Sequence, residues 1–318
     1  MKNILKSTKE IYEDSKHVTT NKQKLKDICG TLRKEHMEHW LSASPFDTSN
    51  LDDDDKLNFL LTFNSLSFSY WGNPKWTVEY RNKKYDSSWA LITSLQRALE
   101  EKSPILDPAY REFMTRKDLE YLLRGNLEIP LLDERLKIIK EIAKVTNKKY
   151  QGDFAKLLKK ANYDALKIVD KMTSEVTAFN DVTTYKNKPV YFYKKAQLFV
   201  SDVYNMFKGK GYGDIKNIDK LTALADYKIP QILRELGIFE YSKSLKENID
   251  NLIEIPKDSI EEIEIRANTI WTVELMKQKL QKNNPDISTM DINDHLWLLS
   301  QEKTKGDKPY HRTRTTYY

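Results

Sequence analysis

Glycine and proline punctuate this chain sparsely. Its 318 residues hold 9 Gly and 10 Pro, about half of what an average combined usage of roughly 12% predicts. Tight turns depend on these residues, so their scarcity favours long helices over many short strands. Aromatic residues make up 11% of the chain. Disordered chains are poor in aromatics, so most of this one is expected to fold.

Several function classes drop out on composition. The single cysteine, Cys29, forbids an internal disulfide, makes a cysteine-based zinc site implausible and suits a reducing compartment. Residues 1–20 are charged throughout and lack the apolar centre of a signal peptide. No apolar run reaches the roughly 18 residues of a membrane span. A cytoplasmic location, with the nucleus also open, and no membrane partner are expected. The net charge of +6 is modest for this length; it permits phosphate binding without demanding nucleic acid.

Local patterns fill in the helices. Residues 1–40 read as two polar helices, and Asp52 to Asp55 read as the acidic first turn of the next one. Residues 76–85 alternate in the manner of a short hairpin. Thr115 with Asp118, and Ser259 with Glu262, resemble capping boxes. Helices are expected over 131–147, 153–160, 163–177, 194–207, 226–237, 259–281 and 291–301. Residues 189–193 look extended. No repeat or linker breaks the chain. The expectation is one domain over 1–318 with a helical N-terminal extension over about 1–50, all-α in class apart from one short β-hairpin.

Few residues stand out for chemistry. His36 and His39 read better as part of a surface helix than as metal ligands, since no third ligand is evident. Gly209, Gly211 and Gly213 follow a helix rather than a strand and lack a Lys-Ser/Thr pair, so a plain turn is favoured over a phosphate loop. Asp226 follows an apolar run and precedes a helix start; it is either a helix cap or a site acid. Lys194 and Lys195 read as solvated at a helix end, and Glu262 with Arg266 as an ordinary i, i+4 pair.

Several segments are distinctive in their order. They are Asn64-Ser-Leu-Ser-Phe-Ser-Tyr-Trp71, Tyr85-Asp-Ser-Ser-Trp89, Leu123-Arg-Gly-Asn126 and Ile129-Pro-Leu-Leu132. Phe192-Tyr-Lys-Lys-Ala-Gln197, Ala225-Asp-Tyr-Lys-Ile-Pro-Gln231, Glu262-Ile-Glu-Ile-Arg266 and the closing His311-Arg-Thr-Arg-Thr-Thr-Tyr-Tyr318 follow. Together they resemble the queuosine salvage proteins, which are queuosine 5'-phosphate N-glycosylase/hydrolases. The resemblance covers nearly the whole chain and is weakest over the first ~50 residues.

The resemblance implies a helix-hairpin-helix, DNA-glycosylase-like fold and release of queuine for salvage into tRNA modification. The family's catalytic Asp maps onto Asp226 and its partner Lys onto Lys194, with Lys195 the alternative. Phe68, Trp71 and Tyr227 are candidates for the flat base, Glu264 or Asp294 for its cationic aminomethyl arm, and His311, Arg312 and Arg314 for the 5'-phosphate. The substrate is a small molecule, no metal or other cofactor is implied, and no stable nucleic-acid complex is expected. The rival reading is a nucleic-acid binder or DNA-repair glycosylase; Asp214 and Asp219, after the glycine-rich turn, sit poorly against a phosphate backbone.

Overall fold

A computed structural model describes residues 1–302 and 307–318. Residues 303–306, which open the basic and aromatic stretch from Lys303 to Tyr318, lie outside the described residues. The chain is mainly helical. Helices α1 (Ile4–Asp14) and α2 (Lys22–Thr31) are capped by the side chains of Asn3 and Asn21. A strand, β1 (Val18–Thr20), separates them. Residues 34–36 and 40–43 form 3-10 turns, so His36 and His39 do not share a helix face as expected.

Helix α3 (Asp53–Leu66) starts where Asp52 accepts the Asp55 N–H, and its acidic first turn suits the helix dipole. From Phe59 to Leu66 it is buried on every side, so it forms the centre of the larger core. The expected hairpin is present as β2 (Thr77–Tyr80) and β3 (Lys83–Asp86), with Val78 opposite Tyr85. It leads into α4 (Ser87–Glu100), α5 (Pro108–Phe113), α6 (Arg116–Leu122), α7 (Leu132–Tyr150), α8 (Ala155–Lys160) and α9 (Ala165–Glu175). The Thr115–Asp118 capping box is present in both directions.

More strand pairing exists than the one hairpin expected. Strands β4 (Val182–Tyr185) and β5 (Lys188–Tyr191) pair antiparallel around Lys186 and Asn187, both at positive φ. The turn uses Lys-Asn where a glycine would have signalled it. Helices α10 (Lys194–Met206) and α11 (Lys228–Glu235) follow. Strand β6 (Phe239–Tyr241) then pairs with the distant β1, a contact with no local sequence signal. Helices α12 (Lys243–Asp250), α13 (Ile260–Leu280) and α14 (Thr289–Leu299) complete the chain. At α13, Ser259 accepts the Glu262 N–H, but the Glu262 carboxylate reaches Asp258, not the cap residue, so only half of that expected box forms.

Two apolar cores result. The larger joins α3, α4, α7, α9 and α10; the smaller joins α2, α11, α13 and α14. Between α10 and α11, the glycine-rich turn is a tight closure. A Cβ on Gly213 would meet the Phe207 Cβ at 2.7 Å and the Val203 and Tyr204 carbonyls at 3.1 Å. Packing therefore accounts for this glycine. No described helix is long and apolar enough to cross a membrane.

Candidate active site

A cleft opens where the two cores meet. Asp226 lines it. Its Oδ1 accepts the N–H groups of Lys228 at 2.8 Å and Ile229 at 3.0 Å. The residue thus caps α11 and faces the cleft at once, so the two sequence readings are not exclusive. Its Oδ2 has no hydrogen-bond partner among the described residues.

The segment before Asp226 is held from three sides. Thr222 N–H and Oγ1 reach Gln197 Oε1 on α10 at 2.8 and 3.1 Å. Leu224 N–H donates to Asn293 Oδ1 on α14 at 3.0 Å. The Ala225 carbonyl accepts Arg266 Nε from α13 at 3.1 Å.

Arg266 is the hub of that support. It is 3% exposed, so it is a buried residue rather than half of the ordinary i, i+4 pair that its spacing with Glu262 suggests. Its guanidinium grips Asp181 through Nη1 at 2.9 Å and Nη2 at 2.5 Å, and Glu262 lies 3.6 Å away. The guanidinium also lies over the Phe192 and Tyr318 rings, at 3.8 and 4.5 Å from their centroids. Burial opposes its charge, but Asp181 and Glu262 outweigh burial and hold it protonated. Tyr318 Oη donates to Glu262 Oε1 at 2.7 Å.

Both lysines at the start of α10 are buried, not solvated. Lys194 lines the cleft. Burial lowers its pKa, with Asp226 the largest influence in the opposite sense. Lys195 is turned elsewhere: its Nζ donates to the Ser65 carbonyl at 3.1 Å and sits 4.8 Å from the Phe68 ring. Of the two, Lys194 is the one on the cleft with Asp226.

Phe68, Tyr227 and Asp294 also line the cleft, and the remaining candidates do not. Trp71 packs with Tyr227 and Tyr318 beside the cleft. Arg314 stacks on Trp71 at 3.6 Å and pairs with Glu254; Arg312 lies 5.7 Å from the same ring. His311 is 1% exposed, and burial pushes it down to about 3, which makes it a neutral ring rather than a cation for phosphate. The described part of the tail, 307–318, is docked. Ser69 donates to the Tyr318 and Thr315 carbonyls at 2.9 and 2.6 Å.

Glu264 has a different occupation. Its Oε2 accepts Ser15 Oγ at 2.7 Å, Lys16 N–H at 2.9 Å and His17 N–H at 2.6 Å. It pins the segment between α1 and β1 to α13. Glu264→Ala leaves these donors unsatisfied, so a stability loss of about 2–3 kcal/mol is expected by urea unfolding. KM should stay within about twofold; a large KM rise at full stability would return Glu264 to the substrate site.

Sequence reasoning passed over Trp40, Trp297, Lys228, Ser87, Ser88 and Tyr318, all on the cleft. Trp297 stands three residues after Asp294, on one helix face, and Lys228 is two residues past Asp226, so both carried a usable spacing signal. Trp40 carried none: its indole Nε1 reaches Asp202 Oδ1 at 2.8 Å across a long sequence separation. Among the described residues, no group of three or more His, Cys, Asp or Glu is arranged to hold a metal ion.

Comparison with known proteins decides the family. Residues 47–318 match the family model described as "Queuosine salvage protein". This chain belongs to the queuosine salvage protein family. Relatives named queuosine 5'-phosphate N-glycosylase/hydrolase agree. The protein of Sphaerobacter thermophilus is 41% identical over 261 residues, 82% of this chain and 81% of its own length. That of Nematostella vectensis is 33% identical over 283 residues, 82% of each chain. That of Bos taurus is 30% identical over 281 residues, 84% of this chain and 82% of its own length. The match covers every cleft residue except Trp40, with Asp226, Lys194 and Asp294 among them.

Proposed function

We propose that this chain hydrolyses the N-glycosidic bond of queuosine 5'-phosphate, releasing queuine and ribose 5-phosphate. The observation that carries the reading is Asp226, a carboxylate fixed at Oδ1 by two helix N–H groups and placed on the cleft with the buried cation Lys194. Water adds to C1', the C1'–N bond breaks with its electron pair going to the base nitrogen, and a water proton ends on the base. Queuine is a 7-deazaguanine, so protonation at N7 cannot assist its departure. The burden falls on the positive charge developing at the ribose. A preorganised carboxylate with one oxygen unpartnered among the described residues meets that charge, and Lys194 lines the same cleft.

The other cleft residues match the rest of this substrate. Phe68 and Tyr227 offer ring faces to the base. Asp294 offers a carboxylate to the cationic arm. The 5'-phosphate is assigned to Lys228, with the Ser87 and Ser88 hydroxyls, rather than to the tail. Burial and then Lys75 lower the Lys228 pKa, and an anion relieves both. The order Lys194, glycine-bearing turn, Asp226 supports a helix-hairpin-helix glycosylase relationship for α10 to α11.

The test is release of queuine from the monophosphate and from the unphosphorylated nucleoside, followed by liquid chromatography and mass spectrometry. The expected result is release from the monophosphate with kcat/KM at least about tenfold above the nucleoside, as loss of a charged contact implies. Release from neither compound overturns the reading. Equal rates on both remove the phosphate assignment alone.

A further inference from the structure

Two buried carboxylates flank the His39 ring at the cleft wall. Asp294, on α14, lines the cleft; Asp202, on α10, lies behind it and does not. Both are 3% exposed or less. His39 Nε2 stands 3.3 Å from Asp294 Oδ2 and 3.5 Å from Asp202 Oδ1. The His39 Nδ1 accepts the Leu41 N–H at 3.2 Å, so the neutral ring carries its hydrogen on Nε2, at the junction of the two acids.

The hydrogen bonds favour one order of charging. Asp202 receives Trp40 Nε1 at Oδ1 and Asn64 Nδ2 at Oδ2, each at 2.8 Å. Neither donor can accept in return, so both favour the anion at Asp202. Asp294 receives a longer contact from Asn293 Nδ2, at 3.3 Å, and the Trp40 backbone N–H. Burial lifts Asp202 to about 7; burial, then the charge of Asp202, lifts Asp294 well above the usual range. Burial pushes His39 down to about 3, which keeps it neutral.

The neighbouring charges are few. Lys194, from α10, acts on Asp202, and Asp291, on α14 itself, acts on Asp294. Asp226 and, from α11, Lys228 share the cleft. Helix α13 joins α14 through the apolar cluster that holds Ile265, Val273 and Met276. The first proton of the pair therefore leaves Asp202, and the second stays on Asp294 until a cation arrives.

We infer that Asp202 and Asp294, coupled across His39, make the cleft select a nucleotide whose base carries a positively charged arm. The inference rests on the proposed function and assigns its specificity. An ammonium docking at Asp294 displaces that carboxyl proton to solvent, and the resulting carboxylate holds the arm. A base without the arm leaves the proton in place and gains nothing there. Asp202 is a positioning residue: it acts through the charge it imposes on Asp294.

The sign follows from proton release on binding. Raising the pH favours the ionised Asp294, so KM for the arm-bearing substrate falls as pH rises. The experiment measures KM against pH for queuosine 5'-phosphate and for 7-deazaguanosine 5'-phosphate, which lacks the arm. The expected result is a fall of about tenfold between pH 6 and pH 7.5 for the first and a flat profile for the second. Asp202→Asn, checked for an unchanged melting temperature, should flatten the first profile, because Asp294 then ionises at lower pH. Parallel profiles on the two nucleotides, measured with the unaltered protein, overturn the inference while leaving the hydrolase reading intact. Release from neither nucleotide at any pH overturns both.

Discussion

Asp226→Asn is expected to lower kcat for queuine release by about 10²–10³-fold, the usual cost of removing one preorganised charge-stabilising group. The substitution isolates charge from structure. Asparagine keeps a side-chain oxygen where Asp226 Oδ1 accepts the Lys228 and Ile229 N–H groups, and it caps helices as well as aspartate does. The start of α11 should therefore survive, and KM should stay within about twofold. Asp226→Ala removes the cap as well and should cost about 1 kcal/mol of stability besides. The pair of variants separates the two roles that the sequence left open. Full kcat in Asp226→Asn would reduce Asp226 to a helix cap and move the chemistry to another cleft residue.

Much of the helical framework was legible because helix signals are local. The Thr115–Asp118 box, the acidic start of α3 and the hairpin at residues 77–86 all appear where the pattern placed them. What stayed illegible was set by contacts across long separations. The β1–β6 pairing joins residues 18–20 to 239–241. The Asp202–His39–Asp294 junction and the Glu264 latch each gather chain segments far apart in sequence.

Charge was the least legible property. Lys194, Lys195, Glu262 and Arg266 all read as surface residues from composition and spacing, and all are buried. A charged residue is kept inside only by a partner, and those partners come from other elements: Asp181 for Arg266, the Ser65 carbonyl for Lys195. Asp226 illustrates the complementary case. The local pattern offered a cap or a site acid and could not decide between them, because the cleft is made by α10 and α14 as much as by α11.

Arg266→Met is the variant expected to damage both stability and rate. The side chains are similar in length, so the Phe192 and Tyr318 rings keep an apolar neighbour, but Asp181 and Glu262 lose the cation between them. Removing one member of a buried ion pair strands the other, at a cost of about 3–5 kcal/mol; urea unfolding should show that loss. The rate should fall for a second reason. Arg266 Nε also holds the Ala225 carbonyl, one residue before Asp226. Without it the carboxylate is less well fixed, so kcat should drop more than KM rises. Arg266→Lys keeps a charge but cannot grip Asp181 with two N–H groups while also reaching Ala225, and it should fall between wild type and methionine on both measures. Adding Asp181→Asn to Arg266→Met removes the stranded charge and should restore part of the stability but none of the rate, since the Ala225 contact stays broken. Recovery of both together would mean that Arg266 supports the fold alone, with no separate hold on the segment before Asp226.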